Sequence, residues 1–488
     1  MFNSIRYFNE ISTINFENLE KDFLKDPTRI AEYVLGVSDE LRKVGLNIIK
    51  ESLEMMNQFL KESNKRKNDW VVEKNVRKQL ITSLGAIDYT KTLFTNKDTE
   101  EMCYLLDRIM ELSSHERITE DAEAKMLEEA VQTSYRRGGE AVSPVDNVSK
   151  QTVKNKLHVL RFPEENYTGE KKVLDYLFLD ADEDHVSLQF RNEKGDLVVS
   201  KNGYKNNGMI TKLVYVYEGI EKESPKSTRH RLINPHYFCT GNNEKTNEEF
   251  WDEVYRYLDA HYDLSKMKKI YLNADGGAWI KAGKRRIVGI TYVLDEFHLQ
   301  KYIMKMVRHT MDSMEDAKKE IYDSIRKKDK NDFRQVVEKL HDCATTEQQH
   351  KRIDEGKDYI ISNWMAAKLR LTKRDTIKGC SAEGHVSHVL SSRMSSRPMG
   401  WSIVGGTKMS ELRAYYYNGG NMLELVRYQK EDLPKAAGME MEYISAAQIN
   451  HYRNGERSEL AKYSECMMHT LTLDAKKKAW FNGHIWGL

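Results

Sequence analysis

The sequence predicts an α/β protein carrying a helical N-terminal region and an all-helical insertion, on three observations. Strand-forming runs dominate from about Lys171 to Asp295 and are interrupted by one helical pattern, the order of an α/β sheet and not of a sandwich. Residues 14 to about 65 have long-helix composition, with few breakers and apolar residues at helical spacing. From about Leu299 to Leu371 the chain is highly charged and helical in pattern, with no strand signal. A chain of 488 residues has room for roughly two to four domains with sizeable cores.

Composition removes several classes. No run approaches the roughly 20 apolar residues that span a bilayer. The opening residues, MFNSIRYFNEIST, have neither a cleavable-signal nor a transit pattern, so a cytoplasmic protein without a membrane partner is expected. Five scattered cysteines (Cys103, Cys239, Cys343, Cys380 and Cys466), never in a CxxC pair, argue against a disulfide framework and a structural zinc module. A net charge of +2 neither requires nor excludes nucleic acid. The basic clusters at Lys61–Lys67, Lys281–Arg286 and Ser391–Gly400 read, taken alone, as solvated faces.

The elements follow in order. After the first helical stretch, two β-rich runs flank Leu84-Gly85-Ala86 and read as a hairpin. The pattern returns to helix from about Glu100 to Tyr135, with Thr119 as N-cap and Glu120, Asp121 and Glu123 in the positive first turn. A turn at RRGGEAVSP leads to a second helix capped by Ser149. It buries Val153, Leu157 and Leu160 and turns Lys150, Gln151, Lys154, Asn155 and His158 outward. Such a helix is either the recognition helix of a helix-turn-helix or an ordinary amphipathic surface helix. Three strands then precede the helix NEEFWDEVYRYLDAHYD, followed by a strand ending at Asp275 and a fifth in IVGITYVLDEF.

Carboxylates carry the chemistry. Asp180, Asp182 and Asp184 recur at period two on the first long strand and share one face. They are not a calcium loop, since the sixth position is His185 and the twelfth Arg191; a solvated strand edge is the other plain reading. Asp275 ends a buried strand, where a charge is costly unless met. Glu383 opens a helix after Gly379-Cys380-Ser381. Two strand aspartates and a helix glutamate are hard oxygen donors of the kind two Mg²⁺ ions take.

At DADEDHVSLQ, NADGGAWI, VLDEFHLQKY, SAEGHVSHVLSSRMSSRPMGWS and MSELRAYYYNGG the chain resembles the ISLre insertion-sequence transposases, DDE enzymes related to the Mutator-like transposases. LLDRIMELSSHERIT and SYRRGG extend the likeness upstream, over nearly the whole chain. The resemblance implies a ribonuclease-H-like catalytic core with Asp182, Asp275 and Glu383 as catalytic, metal-holding acids. Asp182 is preferred because relatives often place Glu at the position matching Asp180; Asp184 is the fallback. It also implies that His298, in the Asp295-Glu296-Phe297-His298 pattern, orients a phosphate or a metal-bound water. A histidine merely hydrogen-bonded at a helix start fits that pattern too. Many DDE enzymes carry a basic residue seven positions after the glutamate. Here that position is Leu390, with Arg393 and Arg397 as the nearest DNA-contacting substitutes.

The organisation implied is a helical N-terminal region over 1–68, a hairpin over 69–100 and a helix-turn-helix region over 101–165. The core begins at 170–298, is interrupted by a helical insertion over 299–372, and is completed with the C-terminal region over 373–488. The implied cofactor is Mg²⁺ at a two-metal site, with Mn²⁺ able to substitute. The implied partners are the element's terminal inverted repeats, target DNA and further copies of the chain. A non-catalytic helix-turn-helix protein, or a nuclease on the same core without strand transfer, are the alternatives.

Overall fold

The computed structural model describes residues 8–113, 115–164, 167–189, 198–199, 205–241, 245–327, 329–373, 377, 381–430 and 444. The chain divides into two compact units. The first holds the residues up to Glu129, Arg136–Lys150 and, of the described residues at the far end, Gln429, Lys430 and Ile444. The second holds Ala130–Tyr135 and Gln151–Tyr428.

In the first unit, the stretch of long-helix composition from 14 to about 65 forms α1 (Thr13–Lys25) and α2 (Ile30–Glu62). They break at Asp26-Pro27, because proline has no amide to give to a helix interior. Asp26 caps the next turn by accepting from the Thr28 amide. The expected hairpin forms from β1 (Trp70–Thr82) and β2 (Gly85–Asn96), with Thr82 opposite Gly85 across a two-residue turn. Gly85 takes φ +144°, a conformation open to glycine. β3 (Met102–Cys103) adds a third strand. Leu46, Ile49, Leu53, Met56 and Leu60 of α2 pack on Leu80, Ile87, Tyr89 and Phe94 of the hairpin. Ile444 joins this cluster, and Lys430 Nζ lies 2.9 Å from Glu120.

Helix α3 (Glu120–Gln132) opens on its acidic first turn as expected, while the Thr119 hydroxyl donates to the Ile81 carbonyl. The run Arg136-Arg137-Gly138-Gly139, read as a turn, is helical within Tyr135–Glu140, and the turn starts at Ala141. Helix α4 (Lys150–His158) follows.

The second unit is built on a five-stranded mixed sheet. β4 (Tyr176–Ser187), β5 (Gly208–Tyr217) and β6 (His236–Gly241) run antiparallel in sequence. Helix α5 (Asn247–His261), held by a capping box of Thr246 and Glu249, crosses to β7 (Lys269–Ala274). Helix α6 (Ala278–Arg286) then crosses to β8 (Ile290–Leu294). β7 and β8 are parallel to β4, giving the order β6-β5-β4-β7-β8. A parallel pair needs such a crossover, yet the sequence pattern offers no helix between β7 and β8. Its buried face is Trp279, Ile280, Ala282 and Gly283, and the basic Lys284-Arg285-Arg286 run falls in its last turn, where the helix dipole favours cations.

One face of the sheet, through Leu177, Leu179, Val214 and Val216, packs on Phe250, Trp251 and Leu258 of α5 and on Trp279 and Ile280 of α6. The two helices meet so closely that a Cβ on Gly283 would come within 2.5 Å of the Trp251 indole. Gly283→Ala is expected to cost on the order of 2 kcal/mol by overpacking, read as a lower urea midpoint.

The charged stretch is all helix, as expected: α7 (Glu296–Val307), α8 (Met314–Lys327), α9 (Lys330–Asp342), α10 (Glu347–Ser362) and α11 (Trp364–Thr372). They enclose their own core of Leu299, Ile303, Ile325, Phe333, Ile360 and Trp364. The Gly379-Cys380 part of the turn expected before Glu383 lies outside the described residues, as does Cys466. Helix α12 (Ala382–Val386) and, further on, α13 (Ile403–Tyr417) follow.

Candidate active site

Register sets the site. Across β7 and β4, Asn273 pairs with Asp180 and Ala274 with Ala181; across β7 and β8, Ala274 pairs with Leu294. One residue further on, Asp182, Asp275 and Asp295 stand abreast on three neighbouring parallel strands, the last two just past their strand ends. The Asp295 amide fixes this step by donating to the Ala274 carbonyl at 2.9 Å. Adjacent strands lie about 4.8 Å apart, so three carboxylates crowd one edge of the sheet. Alternation puts them on the face opposite the α5 and α6 core.

Each acid is held by local structure. After Asp275, Gly276 at φ +93° lets the strand turn sharply into α6, and Asp275 Oδ1 accepts from the Gly277 amide at 2.8 Å. The Asp275 carbonyl accepts from the Tyr359 hydroxyl of α10 at 2.7 Å. Asp295 caps α7 through the Phe297 amide, and its Oδ2 lies 2.9 Å from His298 Nδ1. Burial, then the charges of Asp275 and Asp295, push the Asp182 carboxyl up to about 6, against the Glu183 amide and His298. The hydrogen bond to Asp295 leads in raising the His298 imidazole above its ordinary value, with the charges of Asp275 and Asp182 adding to it and burial opposing. Burial would raise the Asp295 carboxyl too, but His298, the Phe297 amide and Arg370 hold it low.

The row of acids on β4 divides its duties. Asp180 is fully buried and accepts from Tyr215 Oη (2.6 Å), Tyr217 Oη (3.1 Å), Asn273 Nδ2 (2.6 Å) and the Ser381 amide (3.3 Å). Asp184 accepts from Ser395 Oγ at 2.8 Å. The segment 381–395 is thus tied to β4 on either side of Asp182, and α12 within it carries Glu383. Asp180→Ala, which removes the acceptor shared by Tyr215, Tyr217, Asn273 and the Ser381 amide, is expected to cost about 3 kcal/mol or more, measured by urea unfolding.

Asp182, Asp275 and His298 are therefore brought together, joined by Asp295. Glu383 is exposed in the first turn of α12, and among the described residues no three His, Cys, Asp or Glu side chains stand close enough to hold a metal ion. The sequence does not single out Asp295 as a site residue, although its signal matches that of Asp275: an apolar strand ending in aspartate before a helix.

On α4, Val153 and Leu157 are buried as expected. Lys150, Gln151 and Asn155 are exposed and Lys154 half-buried, with Gln151 Nε2 donating to Asn155 Oδ1. His158 is half-buried beside Ser402 instead of facing outward. Arg397 is exposed. Arg393 is not available to DNA: it is buried, donates to the Ala130 carbonyl at 3.1 Å and lies over the Trp401 ring. Burial pushes its guanidinium down to about 10.

A family model described as "Uncharacterised protein family (UPF0236)" matches residues 23–432. The chain belongs to the UPF0236 family. A UPF0236 protein of Caldanaerobacter subterraneus subsp. tengcongensis is 33% identical over 418 residues, covering 85% of this chain and 84% of that protein; its name joins eleven designations. A second from the same organism is 34% identical over 414 residues, covering 84% of each. The "UPF0236 protein in vanSb 3'region" of Streptococcus gallolyticus is 26% identical over 212 residues, 42% of this chain and 44% of that one. Among solved structures, the "Drosophila P element transposase strand transfer complex" aligns over 64% of the UPF0236 chain and 80% of its own, at 11% identity and a TM-score of 0.20, too distant a likeness to carry an argument. Among the described residues, no helix is long and apolar enough to cross a membrane.

Proposed function

We propose that this UPF0236 chain is a DDE transposase of the ISLre kind, built on a ribonuclease-H-like core. It would bind the terminal inverted repeats of an insertion element, cleave the DNA there and join the ends to target DNA. The observation that carries the reading is the row of Asp182, Asp275 and Asp295 abreast on adjacent strands, beside a helix bearing Glu383. A second support is the relative whose one name gathers eleven designations in one organism, the pattern an element that multiplies within a genome leaves.

Asp182, Asp275 and Glu383 offer hard oxygen donors of the kind a divalent cation takes. Asp182, within β4, and Asp275, just past the end of β7, are half-buried carboxylates on neighbouring strands, and Mg²⁺ takes few carboxylates and keeps waters. Asp182 and Asp275 would hold Mg²⁺ or Mn²⁺, with Glu383 completing the set. When bound, two such ions stabilise the attacking and leaving oxygens of an in-line phosphoryl transfer. The residues themselves supply position and charge. With its Nδ1–H donating to Asp295, His298 as the imidazolium would present its Nε2–H to a phosphate oxygen. Lys150, Gln151, Lys154, Asn155 and Arg397 would meet DNA, and joining two ends to one target calls for more than one copy.

The test is a Mg²⁺-dependent assay on labelled DNA carrying the element ends, scored for cleaved and for joined products. Joined products support the transposase. Cleavage without joining would leave a nuclease, and end binding with neither would leave a DNA-binding protein.

A further inference from the structure

Among the described residues, helix α2 carries an apolar line that its own unit leaves uncovered. Ile30, Val34, Leu41 and Ile48 are 53%, 56%, 54% and 49% exposed, while Val37 and Val44 are half-buried. At 3.6 residues per turn all six fall within roughly 40° of one line along the helix. The residues that pack on the hairpin, Leu46, Ile49, Leu53 and Met56, lie on a different face.

The spacing identifies the occupant. The six residues alternate in steps of four and three, the heptad order that keeps a narrow seam facing a second helix. A helix that packs inside a globular unit shows a wider stripe. The order is also self-complementary when run backwards. Set antiparallel against itself, Ile30 comes opposite Ile48, Val34 opposite Val44 and Val37 opposite Leu41, and the same three layers repeat across the two-fold axis. Charge selects this orientation. Glu51, the next seam position, would face its own image in a parallel pair, whereas antiparallel it comes beside Pro27 and Arg29 of the second copy. Covering the six side chains in both copies removes roughly 1,000 Å² from water, near the lower bound for a specific interface.

We infer that α2 pairs with α2 of a second copy in an antiparallel two-stranded coiled coil, making the protein a reversible homodimer without DNA. The inference does not depend on the proposed transposase activity.

The test uses the full chain. Sedimentation equilibrium should show dimer rising with concentration in the wild type. Leu41→Glu should raise the dissociation constant by roughly 100-fold or more, since it sets two buried carboxylates in the seam. Because Leu41 is exposed within its own chain, the far-UV spectrum should not change; Val34→Lys serves as a second variant. Oxidative cross-linking then reads the orientation. A mixture of Ile30→Cys and Ile48→Cys chains should cross-link above the wild-type background, and neither variant should do so alone. A monomeric wild type, or a dimer indifferent to both charged variants, overturns the inference. Efficient self-cross-linking of Ile30→Cys overturns the antiparallel pairing.

Discussion

Asp275→Asn is expected to lower end cleavage and joining by roughly 1,000-fold or more while DNA binding is retained, a magnitude typical of losing a group that meets transition-state charge. The substitution is nearly silent structurally. Asn keeps an Oδ1 to accept from the Gly277 amide, and the Tyr359 hydroxyl bonds the backbone carbonyl. What is lost is one negative charge at the strand end. Asp182→Asn and Glu383→Gln should act alike, and pairs of these changes should cost little more than one, because residues acting as a unit are not additive. Single-turnover cleavage beside a gel-shift titration separates chemistry from binding. Unchanged cleavage in the Asp275 variant would remove the catalytic reading of the strand-end acids.

The second large effect concerns stability and runs the other way. The folded Asp182 carboxyl titrates at about 6 against an ordinary 3.8. Its folded value is raised, so the fold disfavours the ionised form. That penalty is absent below about pH 4, grows up to about pH 6 and is complete above it. Two units correspond to about 3 kcal/mol; solvent reaching this half-buried group brings that to on the order of 2 kcal/mol. Metal-free Asp182→Asn should therefore be more stable than wild type at pH 7 by a few degrees in Tm, and the difference should vanish near pH 4. Added Mg²⁺ should raise the Tm of the wild type and leave the variant where it is. A variant less stable than wild type at pH 7 would show that the strand-end acids are not in conflict.

Local chemistry made much of this legible. Alternation on β4 displayed three acids on one face, and the apolar run Ile270–Leu272 marked the strand that ends at Asp275. Turn residues around Leu84 marked the hairpin. What pattern could not show depends on contacts distant in sequence. Asp180 and Asp184 look like Asp182 in sequence, and only Tyr215, Tyr217, Asn273, Ser381 and Ser395 distinguish them. Arg393 reads as a surface cation until Trp401 covers it. Helix α6 hides because Gly283 suits a loop as well as a close approach to Trp251. The break at Pro27 was readable, but long-helix composition on both sides outweighed it.

The two principal aspartates are anchored to different supports. The segment bearing Glu383 is hung from β4 at Ser381 and Ser395, the same strand that carries Asp182. The backbone at Asp275 is pinned by Tyr359, on a helix of the insertion. In mechanical terms, Asp182 and the Glu383 segment ride on one frame, while Asp275 has a strut to another. A force on the insertion thus reaches Asp275 directly through Tyr359 and reaches β4 by the longer route of Arg370, Asn273 and Asp180, so the gap between the aspartates is the dimension it would strain.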